Sequence, residues 1–159
     1  MTPGLPSTRR HRTSTMPLAQ IRGFRNCNPG NLRRGTSWLG LADVQADPDF
    51  CQFISHEFGI RAMSRTLRTY YHRHELRTVR EFINRWAPPN ENNTEAYVEA
   101  VAARLGLPPD FSIDNGIELC LPGLIRAIIH HELGCQPYSE WLIDEGIRWD
   151  RDGIPGNTL

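Results

Sequence analysis

Glu132 ends an apolar run, LIRAIIHHE, that reads as a helix. It stands three residues after Ile129, four after Ile128 and seven after Ile125, on the face those isoleucines would bury. A carboxylate that continues an apolar stripe is rarely buried without a partner. Position alone leaves two readings open: Glu132 pairs with an arginine across a helix interface, or it stands in the wall of a cleft. In the last turn of the helix the free carbonyls disfavour negative charge, and partial burial would add to that. A carboxyl that keeps its proton near neutral pH can protonate a glycosidic oxygen, so Glu132 is the candidate general acid. Retaining and inverting glycosidases use two carboxylates. No second acid is marked as clearly; Glu57 is the nearest in style. A mechanism with one catalytic acid, in which a group of the substrate does the rest, fits better.

Two segments carry what a sugar polymer asks for. RNCNPGNLRRGTSWLG offers Asn28, Asn31, Arg33 and Trp38, and WAPPNENNT offers Trp86 and Asn93. Amides and guanidinium groups donate to hydroxyl and acetamido oxygens, and an indole face packs on a sugar ring. The same asparagines also suit turns around Pro29-Gly30 and a helix cap after Pro88-Pro89, and the two roles are compatible.

Other chemistries find less support. HEFG and HHELG place each Glu beside its His, on different helix faces, and neither an HExxH nor a Cys/His spacing for metal occurs, so no metal or other cofactor is expected. No phosphate loop or dinucleotide fingerprint is present. Cys27 stands in a loop where a nucleophile could stand, but no particular His is marked as its base. His130 and His131 suit the negative end of their helix.

The elements that must hold these residues are helical. Ile60, Met63, Leu67 and Tyr70 or Tyr71 share one face of a helix over 56–72. A second helix starts at Thr78, with Glu81 reaching back as its capping partner, and presents Val79, Phe82, Ile83 and Trp86. Asn92 with Glu95 caps a third, which carries Tyr97, Val101 and Leu105 and stops at Gly106. The Glu132 helix begins at Pro122 and stops at Gly134. A last helix over 139–149 carries Trp141, Leu142 and Ile147. Between Ile21 and Phe53 the punctuation by Gly and Pro predicts loops and a short β-hairpin.

With 159 residues the chain suits one domain. Residues 1–18, rich in Pro, Ser, Thr and Arg, are expected as a flexible basic arm, 19–150 as the folded domain, and 151–159 as a frayed tail. The arginines crowd the first half and the acidic residues the second, although net charge is zero. The four cysteines form no CxxC pair and are expected as free thiols. No stretch is long and apolar enough to span a membrane, and the N-terminus does not read as a secretory signal, so synthesis in a bacterial cytoplasm is expected.

The motifs RNCNPGNLR, TSWLG, FCQF, GIRA with LRTY, RWAPPNENNTEAY and AIIHHELGCQPY resemble those of a family of phage and prophage proteins often labelled as virion proteins. The likeness runs from about Arg22 to Tyr138 and departs at Cys27, where the family pattern has Asn. Tyr97 and Tyr138 fall in its shared motifs and join the candidate substrate-binding residues. LIRAIIHHELG also resembles the catalytic helix of lytic transglycosylases and goose-type lysozymes. NPGNLR, GIRA and LRTY are similar to the segment that follows the catalytic Glu of bacterial glucosaminidases, although there the Glu helix comes first. These likenesses imply a mainly α, lysozyme-like domain in permuted order that cleaves peptidoglycan glycan strands through Glu132. They imply peptidoglycan as partner and action in the periplasm or carriage in a virion or secretion apparatus; no nucleic-acid partner is expected. The alternative is a non-catalytic phage or effector module that binds peptidoglycan or a protein.

Overall fold

The computed structural model describes residues 16–156 and residue 158; most of the expected basic arm, residues 1–15, lies outside the described residues. After one 3-10 turn at Leu18–Gln20 come α1 (Arg22–Arg25), α2 (His56–His72), α3 (Val79–Trp86), α4 (Thr94–Leu105), α5 (Leu121–Leu133) and α6 (Glu140–Asp152). The protein is a single, mainly helical domain, and no described helix is long and apolar enough to cross a membrane.

Helix α5 is the hub. Leu121, Leu124, Ile125, Ile128 and Ile129 are all fully buried, and α1, α2, α4 and α6 pack around it. Each such side chain contributes about 1.5–3 kcal/mol by leaving water, so the stripe that leads to Glu132 is also a large part of what holds the core together. Its C-terminus is set by Gly134, whose φ of 74° is the left-handed conformation that ends a helix at little cost with glycine. At the other end α5 begins at Leu121, one residue before the proline expected to open it.

Helices α3 and α4 close the core from one side with Val79, Phe82, Ile83, Tyr97, Val98 and Val101. Thr78 caps α3 as expected, accepting from Glu81 N, while the Glu81 carboxylate reaches Arg77 N rather than Thr78 N. The cap of α4 is Asn93, which accepts from Ala96 N. The expected cap, Asn92, instead donates to Pro88 O, which ties down the connector between the two helices.

Helix α6 lies along α2, where a Cβ on Gly146 would come within 2.6 Å of Ile60. Ile143, Ile147 and Trp149 face inward, whereas Trp141, one of the apolar residues by which this helix is recognised, is exposed. Asp150, buried between the two helices, accepts from Ser64 and is paired with Arg65 and Arg68. Removal of both arginines would leave a buried charge uncompensated.

The segment between α1 and α2 contains no continuous hairpin. Two isolated antiparallel bridges, Arg33 with Phe50 and Leu41 with Phe53, hold its two halves together. Side chains do the work that a ladder would otherwise do. The Asp47 carboxylate takes hydrogen bonds from Arg22, Asn26, Asp49 N and Phe50 N, and these hold its pKa well below the usual carboxylate range, the Arg22 bond foremost. Gln45 and Gln52 bridge the rest. Polar side-chain bracing leaves little of the alternation that marks strands in a sequence.

Candidate functional site

Three segments with no proximity in sequence meet at the C-terminal end of α5. One is the turn Gly30–Arg33, the second is the end of α3 with the connector that follows it, and the third is Glu132, with Phe50 and, from α2, Tyr70 completing the lining. They enclose a cleft of about 360 Å³, lined among others by Asn31, Arg33, Phe50, Tyr70, Arg85, Trp86, Glu91 and Glu132. That volume lies within the roughly 300–1,000 Å³ usual for small-molecule sites.

The turn is shaped for this meeting. Asn28 is fully buried: its amide donates to Leu32 O and Cys51 O, and its Oδ1 accepts from Leu32 N. It is thus spent on the scaffold and has no group left for a ligand, contrary to the binding role expected of it. The chain then passes so close to α3 that a Cβ on Gly30 would sit 2.8 Å from the Trp86 ring. Asn31 follows in the left-handed region at φ 49°, which asparagine tolerates better than most residues. That conformation turns its side chain inward onto Glu132.

Glu132 is partly buried and makes two hydrogen bonds, one per carboxylate oxygen. Asn31 Nδ2 donates to Oε2 at 2.9 Å, and the Tyr97 hydroxyl donates to Oε1 at 3.0 Å. Among the described residues no arginine or histidine forms a salt bridge with it, so the ion-pair reading is not the arrangement found. Tyr97 is itself held: its ring stacks on His131 with centroids 3.7 Å apart, and burial together with the adjacent Glu132 charge drives its pKa far above that of free tyrosine. It therefore stays a donor throughout the neutral range. Burial lowers the pKa of His131, which keeps the stacked ring neutral. Asn31 Oδ1, enclosed near Gly23, is buried without a hydrogen-bond partner among the described residues.

The remaining expected residues divide in two. Arg33 and Trp86 line the cleft, and Tyr97 lies beneath it. Trp38 packs with Phe53, Phe58 and Trp149 in a second apolar cluster, Asn93 caps α4, and Tyr138 is buried against Phe24 and His56, so these three are not among the residues that line the cleft. Glu57 is likewise not among them. The acid that lines the cleft besides Glu132 is Glu91, paired with Arg33 at 3.2 Å. Phe50, Tyr70, Arg85 and Glu91 are cleft residues that sequence reasoning missed. RWAP and the following E were in view as motifs, but only the fold shows which of their side chains turn inward.

On the other flank of the same turn, Cys27 Sγ lies 3.8 Å from His56 Nε2, and His56 Nδ1 shares a 2.8 Å hydrogen bond with the Tyr138 hydroxyl. A histidine partner for Cys27, unmarked in the sequence, is thus present. Burial pushes the thiol pKa up and the imidazole pKa down, so the pair rests neutral rather than as thiolate and imidazolium. All four cysteines are free. Among the described residues no three His, Cys, Asp or Glu side chains gather to hold a metal ion.

The chain is 37% identical over 132 residues to Protein P5 of Pseudoalteromonas phage PM2, an alignment that covers 80% of this chain and 81% of that protein. The chain belongs to the family of this phage protein. No family model matches it. The kinship with phage proteins implied by the motifs therefore holds, and the P5 relationship spans most of the domain that carries the cleft.

Proposed function

We propose that this phage P5 relative cleaves the glycan strands of peptidoglycan, with Glu132 as the general acid. The observation that carries the reading is the setting of that carboxyl group. It ends a buried apolar helix, opens onto a cleft, and is held by two neutral donors rather than neutralised by a cation. Indole and phenol faces at Trp86 and Tyr70 suit sugar rings, and the guanidinium groups of Arg33 and Arg85 suit their oxygen substituents.

In the reaction, the protonated Glu132 gives its proton to the glycosidic oxygen as the C1–O bond breaks, and the electron pair leaves with that oxygen. The deficit at C1 is filled by an oxygen of the substrate or of water. If the attacking group is the C6 hydroxyl of the same sugar, its proton returns to the Glu132 carboxylate and the product carries a 1,6-anhydro end. If it is water, the product carries a reducing end. Asn31 and Tyr97 hold the carboxyl in one orientation through both steps. Tyr97 donates to the charged form, and the unpartnered Oδ1 of Asn31 can accept the O–H of the protonated form after rotation of the amide. A single acid suffices if the substrate supplies the nucleophile. Glu91, tied to Arg33, is the second carboxylate of the cleft.

The folded domain over 19–150 is the unit proposed to act, on wall material reached from a virion, a lysis system or a secretion route. Digestion of purified Gram-negative sacculi tests the proposal. Wild type should release soluble muropeptides, and Glu132→Gln, with the same circular dichroism spectrum, should not. Retention on sacculi with no release by either protein would leave a binding module in place of an enzyme.

A further inference from the structure

Four charged side chains line the cleft, and they are not equivalent. Arg33 is bound to Glu91 at 3.2 Å and its guanidinium also lies over the Phe50 ring. Glu132 is held by neutral donors. Arg85 stands apart: its guanidinium lies 5.3 Å from the Tyr70 ring centroid, one N–H is shared with His74 at 3.3 Å, and no carboxylate among the described residues pairs with it. An arginine in the last turn of α3 also complements that helix end, but this needs no aromatic floor and no cleft.

Protonation of Glu132 changes the balance. With Glu132 charged, the four side chains sum to zero. With Glu132 protonated, as a general acid must be before it acts, the cleft carries one net positive charge, and Arg85 is the group that carries it. A substrate that brings a carboxylate to Arg85 completes the balance in the reactive state. Arginine suits the task because its planar fork donates two parallel hydrogen bonds to a carboxylate.

We propose that Arg85 is a specificity-determining residue that takes a carboxylate hung from the glycan strand, so that the cleft selects an acidic amino-sugar polymer over the same backbone without acid groups. The inference rests on the glycan-cleavage reading above. In peptidoglycan the carboxylate has two sources, the lactyl group of a peptide-free muramic acid or the stem peptide attached to it.

Three ligands separate the sources and the hypotheses: chitotetraose, which has no carboxylate, the peptide-free disaccharide dimer of peptidoglycan, and the same dimer with its stem peptides. Binding is measured on the full chain carrying Glu132→Gln, whose amide stands in for the protonated acid and prevents turnover, with and without Arg85→Gln. The added substitution should weaken at least one acidic ligand by about tenfold or more, the scale of a charge-assisted hydrogen bond, and leave chitotetraose within about twofold. Loss on the peptide-free dimer would assign the lactyl carboxylate; loss on the peptide-bearing dimer alone would assign the stem. Equal weakening of all three ligands, or of none, would overturn the role of Arg85 while leaving the glycan cleft intact. Absence of binding by all three, with or without Arg85→Gln, would remove the glycan reading itself.

Discussion

The turn between Cys27 and Asn31 has a residue with positive φ at each end, and each end serves a different polar cluster. Asn31 meets a carboxyl group that faces a cleft, with Tyr97 as second donor and one buried amide oxygen left without a partner. Cys27 meets His56, which is bound in turn to Tyr138 and packed against the Phe24 ring. The first cluster keeps an ionisable group without a counter-ion and leaves an acceptor unused. The second satisfies both ring nitrogens of its histidine and rests neutral. Unspent hydrogen-bonding capacity beside an accessible acid is what chemistry requires, whereas a closed neutral chain among aromatic rings is what packing requires.

The largest contrast between the two should appear in rate. Glu132→Gln is expected to lower muropeptide release about 10²- to 10⁴-fold, the usual contribution of a general acid, while Cys27→Ser stays within about threefold of wild type. Timed digestion of sacculi reads both. Comparable losses from the two substitutions would dissolve the distinction between a reactive cluster and a packed one.

Next in size are the residues that hold the acid. Tyr97→Phe and Asn31→Ala each remove one hydrogen bond to the Glu132 carboxyl, and each should lower kcat about tenfold with less change in KM. Saturation kinetics on soluble glycan fragments would show it. A loss confined to KM would move these residues to substrate binding.

In the other cluster the effects should fall on stability. Tyr138→Phe removes the bond to His56 Nδ1 and should cost about 1 kcal/mol in urea unfolding without slowing catalysis. Smallest is a dependence on pH. Burial lowers the pKa of His56 from the ordinary 6.5, and so the folded state binds fewer protons than the unfolded one. Its contribution is complete above 6.5 and is lost as pH falls from there toward the lowered folded value. Urea midpoints at about pH 7.5 and pH 5.5 should therefore fall on acidification, and less so in His56→Phe.

Much of the frame was legible in the sequence. The stripes of α2, α3, α4 and α5 show clear helical periods, and Thr78, Gly106, Gly134 and Ser139 mark ends where the helices begin or stop. Glu132 was legible for the same reason, since an acid on a buried stripe contradicts its surroundings. Its partners were not. Asn31 lies 101 residues away and Tyr97 lies 35 away, and neither separation follows from any local period. Asn28 and Asn31 look alike in the motif, yet one is locked into the turn and the other faces the acid, a difference set by a backbone φ that the sequence does not display. The expected hairpin failed because Asp47, Gln45 and Gln52 hold that segment through side chains. Trp141 stays at the surface because α6 turns Ile143, Ile147 and Trp149 inward.

The chemical identity of the ends made by wild-type protein on purified sacculi separates the two clusters most directly. Mass spectrometry of the soluble products should find new sugar ends, reducing or 1,6-anhydro, with no increase in free amino groups. New amino groups without new sugar ends would place the chemistry at an amide bond, where Cys27 and His56 rather than Glu132 would have to act.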